Sequence, residues 1–165
     1  MNAIDFIHMS LQQGRGWTVG LVSDMKDAPL TFPTPKGGNH PLWVMGHLTY
    51  SESHLLHDYI LGTPNPIADW KELFGSGSEP VADPSQYPSL DEILIRFEEI
   101  RASTLAALDE LSPADLDEPS KAPAEMKPFF GTIGQCMAVI CMHFVFHGGQ
   151  VADARRVLGR DFLVA

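Results

Sequence analysis

Cys141-Met142-His143-Phe144-Val145-Phe146-His147-Gly148-Gly149-Gln150 lies inside a longer run that opens near Thr132 and ends at Gly159, and the whole run reads as one helix. From Cys136 to Phe146 it is apolar nearly all round, as expected of a helix packed on several sides. Such a helix belongs in an assembly of helices. It also carries two histidines at i and i+4, roughly 40° apart around the axis and ~6 Å apart at Cβ, so that both imidazoles converge on one point.

Working outward, three more helical segments emerge. Ile4 to about Ser23 spaces Ile4, Ile7, Leu11, Thr18, Leu21 and Val22 as a stripe, softened by Gly14, Gly16 and Gly20. Asn39 as N-cap and Pro41 in the first turn start a second helix, from about His40 to Leu61, which stops at Gly62 and Pro64. Ser89 with Glu92 is a capping-box pair, and Ile93, Phe97, Ile100, Thr104, Leu108 and Leu111 continue a third helix, about Ser89 to Leu111. Breakers at Pro29, Pro33, Pro35, Gly37 and Gly38 make 27–40 a connecting loop, and 117–128 reads as loop again. Residues 63–88 hold Gly75-Ser76-Gly77-Ser78 and several prolines, with a helical turn or two only at Ala68 to Phe74. A crossover that long requires a reason. The expected architecture is an all-α four-helix bundle with a long crossover between the second and third helices, in a single domain covering 1–165, whose site forms from inward side chains on facing helices.

Composition bounds the function. The 165 residues are 44% hydrophobic and 19% charged, ordinary globular usage. With 11 basic against 21 acidic residues the formal charge is -10, which repels phosphate backbones and anionic leaflets, so neither nucleic acid nor membrane is an expected partner. Met1 to Ser10 shows no secretory leader, and no apolar run approaches the roughly 18 residues of a spanning helix, so a soluble cytoplasmic protein is expected. Cys136 and Cys141, five apart on one helix, diverge and read as free, largely buried thiols.

Chemistry concentrates on histidine. His143 and His147 need a third partner to make a metal centre, and the best candidate is His47, in the apolar run Leu42-Trp43-Val44-Met45-Gly46-His47-Leu48. Three imidazoles with an open position describe a catalytic rather than a purely structural site. Burying two neighbouring histidines is costly unless each ring finds a partner, and a shared cation supplies one. Gly148 and Gly149 each cost up to about 1 kcal/mol against alanine in mid-helix, which suggests close approach of a helix or ligand. Ser51, His54 and Asp58 share a stripe with His47, and His54 is a candidate proton shuttle, support for a ligand or substitute ligand, or else a partly exposed polar helix residue; Gln150, three residues beyond His147, is a candidate for holding a metal-bound water or substrate, or for an interhelical hydrogen bond. His40 and His57 read as surface residues, and His8 has no assigned role. There is no His-Glu-x-x-His, nucleophile elbow, Cys-x-x-Cys, phosphate-cradling loop or Glu-x-x-His pair.

Asn39-His40-Pro41-Leu42-Trp43-Val44-Met45-Gly46-His47-Leu48, followed by His143-x-x-x-His147-Gly148-Gly149-Gln150, resembles the DinB-like family, which also contains the bacillithiol and mycothiol transferases. The resemblance implies a four-helix bundle, often a homodimer, in which His47, His143 and His147 bind a divalent metal, usually zinc or nickel. It also implies a metal-dependent thiol transferase or related hydrolase acting on a small molecule, with a low-molecular-weight thiol as one substrate. The alternative is a non-catalytic, stress-related binding or dimerising module with a structural or vestigial metal site.

Overall fold

The computed structural model describes residues 1–32 and 38–163. Among these the chain is all-α, with four long helices and two of a single turn. Helix α1 spans Ala3–Ser23, α2 Pro41–His54, α3 Lys71–Phe74, α4 Leu90–Asp109, α5 Lys127–Phe130 and α6 Ile133–Val157. Pro33, Pro35 and Gly37 of the expected first loop lie outside the described residues.

The long helices start where side chains satisfy their first free N–H groups. Asn2 with Asp5, Ser89 with Glu92 and Thr132 with Gln135 are complete capping boxes. For α2 the cap is His40 and not Asn39: its Nδ1 accepts from the Trp43 N–H at 3.1 Å while Nε2 donates to the Val81 carbonyl at 2.9 Å. His40 is therefore buried, at 2% exposure, rather than on the surface, because an imidazole can serve two backbone groups that a short amide cannot span. Gly62 and Gly159 close the second and last helices at positive φ, 65° and 71°, where a side chain would be strained.

Packing partners set the direction of each helix. Leu42 and Val44 of α2 share one core cluster with Leu90, Ile93 and Phe97 of α4, whereas Leu55, Tyr59 and Ile60 share the other with Leu108. The second and third long helices thus run parallel and in contact, and the chain must return the full length of the bundle between them, which explains the crossover. By the same test α1 and α6 run parallel to each other: Ile7 and Leu11 lie with Cys136, Met137 and Ile140, and Val22 with Val151 and Ala154. Their axes approach closely, since a Cβ on Gly148 would sit 2.7 Å from Thr18 Oγ1, and Thr18 donates to the Phe144 carbonyl at 2.8 Å. Gly149 has open space, so close approach accounts for the first glycine of the pair only.

At the centre Arg101 and Glu52, 3% and 2% exposed, form a bidentate pair, Nε to Oε1 at 2.8 Å and Nη2 to Oε2 at 2.7 Å. Nη1 donates to the Leu11 carbonyl at 2.7 Å, and the guanidinium lies over the Phe97 and Phe144 rings. Four helices therefore meet at one fully paired cation.

Three local features differ from the sequence expectation. The second helix turns into a π-helix over Leu55–Leu61. The stretch 117–128, expected to be loop, forms a helical turn at Ala124–Met126 and the start of α5. The all-round apolar stretch of α6 is packed on α1 and α2 but leaves Met142, Val145 and Phe146 exposed, 61%, 50% and 70%. Among the described residues no helix is long and apolar enough to cross a membrane.

Candidate metal centre

Helices α2 and α6 bring His47, His143 and His147 together, with their nearest ring nitrogens all within 4.8 Å of one another. Nε2 of His143 lies 3.2 Å from Nε2 of His47 and 3.0 Å from Nε2 of His147. Each flanking ring is held from behind. His47 donates its Nδ1 proton to the Phe74 carbonyl at 2.7 Å, and His147 donates its own to Gln150 Oε1 at 2.7 Å. A carbonyl oxygen only accepts, so both rings carry their proton on Nδ1 and turn an Nε2 lone pair inward.

The crossover thereby gains a chemical reason. Phe74, fully buried, ends α3 and presents its carbonyl to His47. Its ring lies over Gly46, where an added Cβ would fall 2.1 Å from Cε1, so only glycine admits it. Trp43 stacks on His47 at 4.5 Å between centroids and 9° between planes, and its indole N–H donates to the Leu73 carbonyl and Ser78 Oγ, both at 3.1 Å. Asn39 donates to the same Gln150 oxygen that holds His147, at 3.2 Å. Gln150 thus braces a ring of the triad.

Electrostatics favour neutral donors. Burial pushes His143 down to about 3, assisted by the neighbouring His147 and His47, and pushes His47 down to about 4 against the raising effect of the Phe74 carbonyl. His147 is lowered by burial as well, opposed by Gln150. The donor set fits a metal ion on one further observation. With both flanking lone pairs turned inward, a single proton on His143 Nε2 satisfies only one of them, whereas a cation satisfies all three. The 3.0 and 3.2 Å separations also approach the ~3.3 Å between two nitrogens bound tetrahedrally at 2.0–2.1 Å.

One side of the triad opens on a cavity of about 250 Å³ lined by His47 and His143 together with Tyr50, His54, Leu55, Tyr59, Phe130 and Val139, among others. His54 lies in this wall and donates from Nδ1 to Asp58 Oδ2 at 2.5 Å. The remaining histidines stand apart: His8 pairs with Asp109 at 2.9 Å, and His57, half-buried, meets Thr63 Oγ1 at 3.0 Å. The cysteines do not join the centre. Cys136 Sγ is directed to the Phe130 carbonyl and Cys141 Sγ to that of Ile7, and burial raises each thiol to about 11. Sequence reasoning missed Phe74, whose contribution is a backbone carbonyl; the signals were Gly46, a glycine inside the apolar run 42–48, and the length of the crossover.

No curated protein matches the chain. A family model does, over residues 10–151, a span that contains all three histidines, the whole of α2 and most of α6, and on that match the chain belongs to the DinB superfamily.

Proposed function

We propose that this protein is a metal-dependent enzyme of thiol-transferase or hydrolase type, in which His47, His143 and His147 hold a divalent ion, zinc or nickel, and a small thiol or water reacts in the adjoining cavity. The observation that carries this reading is the pair of inward Nε2 lone pairs, fixed by Phe74 and Gln150, beside the Nε2 of His143 at the wall of a cavity. A bound divalent cation supplies the acidity that converts a thiol or water into a nucleophile near neutral pH. The chain's own residues do the rest. Phe74 and Gln150 hold the proton of each flanking ring at Nδ1, Trp43 fixes the plane of His47, and the apolar wall of Leu55, Phe130 and Val139 limits water. His54 is the group in the wall suited to move a proton.

The same reading includes a homodimer. Exposed Phe6, Trp17, Met142, Val145 and Phe146 border a groove of about 670 Å³ between α1 and α6, with no charged residue in its lining. An apolar surface of this kind favours a second copy over solvent. The two free thiols support a reducing cytoplasm.

Elemental analysis of the purified protein and of His47→Ala, His143→Ala and His147→Ala, followed by a screen of thiols against organic electrophiles and of hydrolysable esters and amides, tests the proposal. Metal in the unaltered chain, its loss from the variants, and turnover only in the loaded form are expected. Loaded protein inert throughout the screen would leave a structural metal site and sink the enzymatic reading.

A further inference from the structure

The wall of the cavity beside the triad carries a further histidine, His54, backed from outside the lining by Asp58 and set beside an unusual backbone. Where α2 passes into the π-helix Leu55–Leu61, the chain gives up α-helical hydrogen bonding, and π-segments of this kind occur frequently at functional sites. The segment carries Asp58 and Tyr59, and its carbonyls are taken up from outside: the Lys121 N–H donates to the Tyr59 carbonyl at 2.7 Å and Lys121 Nζ to that of Leu61. The rest of the fold thus supports the π-turn.

The ring that this turn serves is His54. Tyr50 stacks on it at 5.9 Å and 6°, and Tyr59 packs against it at 4.6 Å. Asp58 accepts its Nδ1 proton at 2.5 Å. The ring plane and the Nδ1 hydrogen bond are both specified, which leaves Nε2 as the nitrogen free of Asp58. His54 shares its cavity with His47 and His143.

The lining also selects a ligand. Tyr50, Leu55, Tyr59, Phe130 and Val139 supply ring and aliphatic surface, and no Lys, Arg, Asp or Glu is among the lining residues. In the metal-free protein a carboxylate or phosphate in this cavity meets no Lys or Arg side chain, and Asp58 behind His54 repels it. A volume of about 250 Å³ exceeds the ~150 Å³ that accommodates a benzene ring, so one ring with a small substituent fits.

We propose that Asp58 is a positioning residue that holds His54 as the proton acceptor of this cavity, and that the cavity takes the uncharged, aromatic or similarly flat portion of an organic electrophile. The proposal rests on the enzymatic reading for its chemistry, but the pocket and the dyad do not depend on the ion. As a thiol or water forms its S–C or O–C bond at the electrophilic carbon, its proton passes to His54 Nε2. The bond to the leaving group breaks with its electron pair, and that group takes the proton from the imidazolium, which returns His54 to its starting form.

Nitrogen-15 and aromatic-proton NMR on metal-free and zinc-loaded protein tests both halves, with 4-methylphenol as the neutral probe and 4-methylbenzoate as the anionic one. In metal-free protein the phenol is expected to shift the Tyr50, Tyr59 and His54 ring signals saturably, with the benzoate at least tenfold weaker and Tyr59→Ala weakening the phenol at least tenfold. His54 is expected to be mainly the Nδ1–H tautomer in both preparations and to lose that majority in Asp58→Asn, whose circular dichroism should be unchanged. Equal binding of the two probes, or no saturable shift, overturns the ligand assignment; an Nδ1–H majority that survives Asp58→Asn overturns the role of Asp58. Failure of the metal reading shows separately, as zinc that does not bind in the same samples.

Discussion

The carbonyl of Phe74 accepts the Nδ1 proton of His47 at 2.7 Å while the Phe74 ring covers Gly46, one residue earlier on α2. One residue of the crossover therefore orients a member of the triad and locks itself in place on the helix that carries it. Gly46→Ala tests this coupling. The new methyl would enter the Phe74 ring, and overpacking of a filled core costs typically ~1–3 kcal/mol. Displacing Phe74 also removes the partner that holds His47, a kind of loss worth about 10- to 100-fold in metal affinity. Urea unfolding and competition against a chelator are expected to show both effects in the one variant. Destabilisation with unchanged affinity would separate Phe74 from the centre.

Much of this was legible in the residues, for reasons that differ by element. The capping pairs Ser89 with Glu92 and Thr132 with Gln135 are local chemistry, and α4 and α6 start where those pairs place them. His143 and His147 share a face whatever the surroundings, because helical spacing alone puts them there. Side chains recruited by backbone groups gave weaker signals. His40 looked like a surface residue since nothing in sequence announces a ring that caps a helix and binds Val81. The exposed face of α6 was misread because apolarity marks a surface that needs covering without saying whether the same chain covers it. The π-turn after His54 depends on Lys121, more than sixty positions later, and so lay beyond any local pattern.

Acidification should weaken the metal-free fold in a defined window. His47 and His143 are held neutral by burial, at about 4 and about 3 against an ordinary 6.5. Their folded values lie below the unfolded one, so the unfolded chain binds more protons between them. Stability is therefore full above pH 6.5 and falls as pH drops toward 4 and then 3. For His47, 7% exposed, the interval from 6.5 to about 4 corresponds to roughly 3 kcal/mol. Thermal melts of metal-free protein from pH 7.5 to 4 should decline through this range, and His47→Phe should flatten the decline. A melting temperature indifferent to pH over the same range would contradict neutral burial of the triad.

Removing half of the central ion pair should cost far more than removing both halves. Glu52→Gln leaves the Arg101 guanidinium buried opposite a neutral amide, and breaking such a pair from one side costs about 3–5 kcal/mol. Glu52→Leu with Arg101→Met replaces the pair by apolar groups beside Phe97 and Phe144, a change expected to recover most of that loss. The recovery is not complete, because the Leu11 carbonyl loses the donor that Arg101 supplied. Chemical denaturation of the two variants beside the unaltered protein measures the difference. Equal destabilisation by the single and double changes would mean that packing, and not charge, dominates this position.

The exposed face of α1 and α6 gives the dimer proposal a direct test. Trp17 and Met142 border the apolar groove at 45% and 61% exposure, and neither makes a hydrogen bond or ring contact with the triad. Phe146 is the poorer choice for substitution because its ring meets His147 edge-on at 5.1 Å. Trp17→Glu with Met142→Glu places like charges on an interface formed from two copies of the same face, where repulsion and burial of carboxylates both oppose association. Sedimentation velocity of the unaltered 18.1 kDa chain should show the dimer, and the double variant the monomer, with metal affinity within about threefold of the original, since the triad is built from α2 and α6 of one chain. A monomeric unaltered protein at tens of micromolar concentration would remove the dimer from the reading. Loss of metal affinity together with the dimer would instead mean that association supports the centre, by holding the α6 segment that carries His143 and His147.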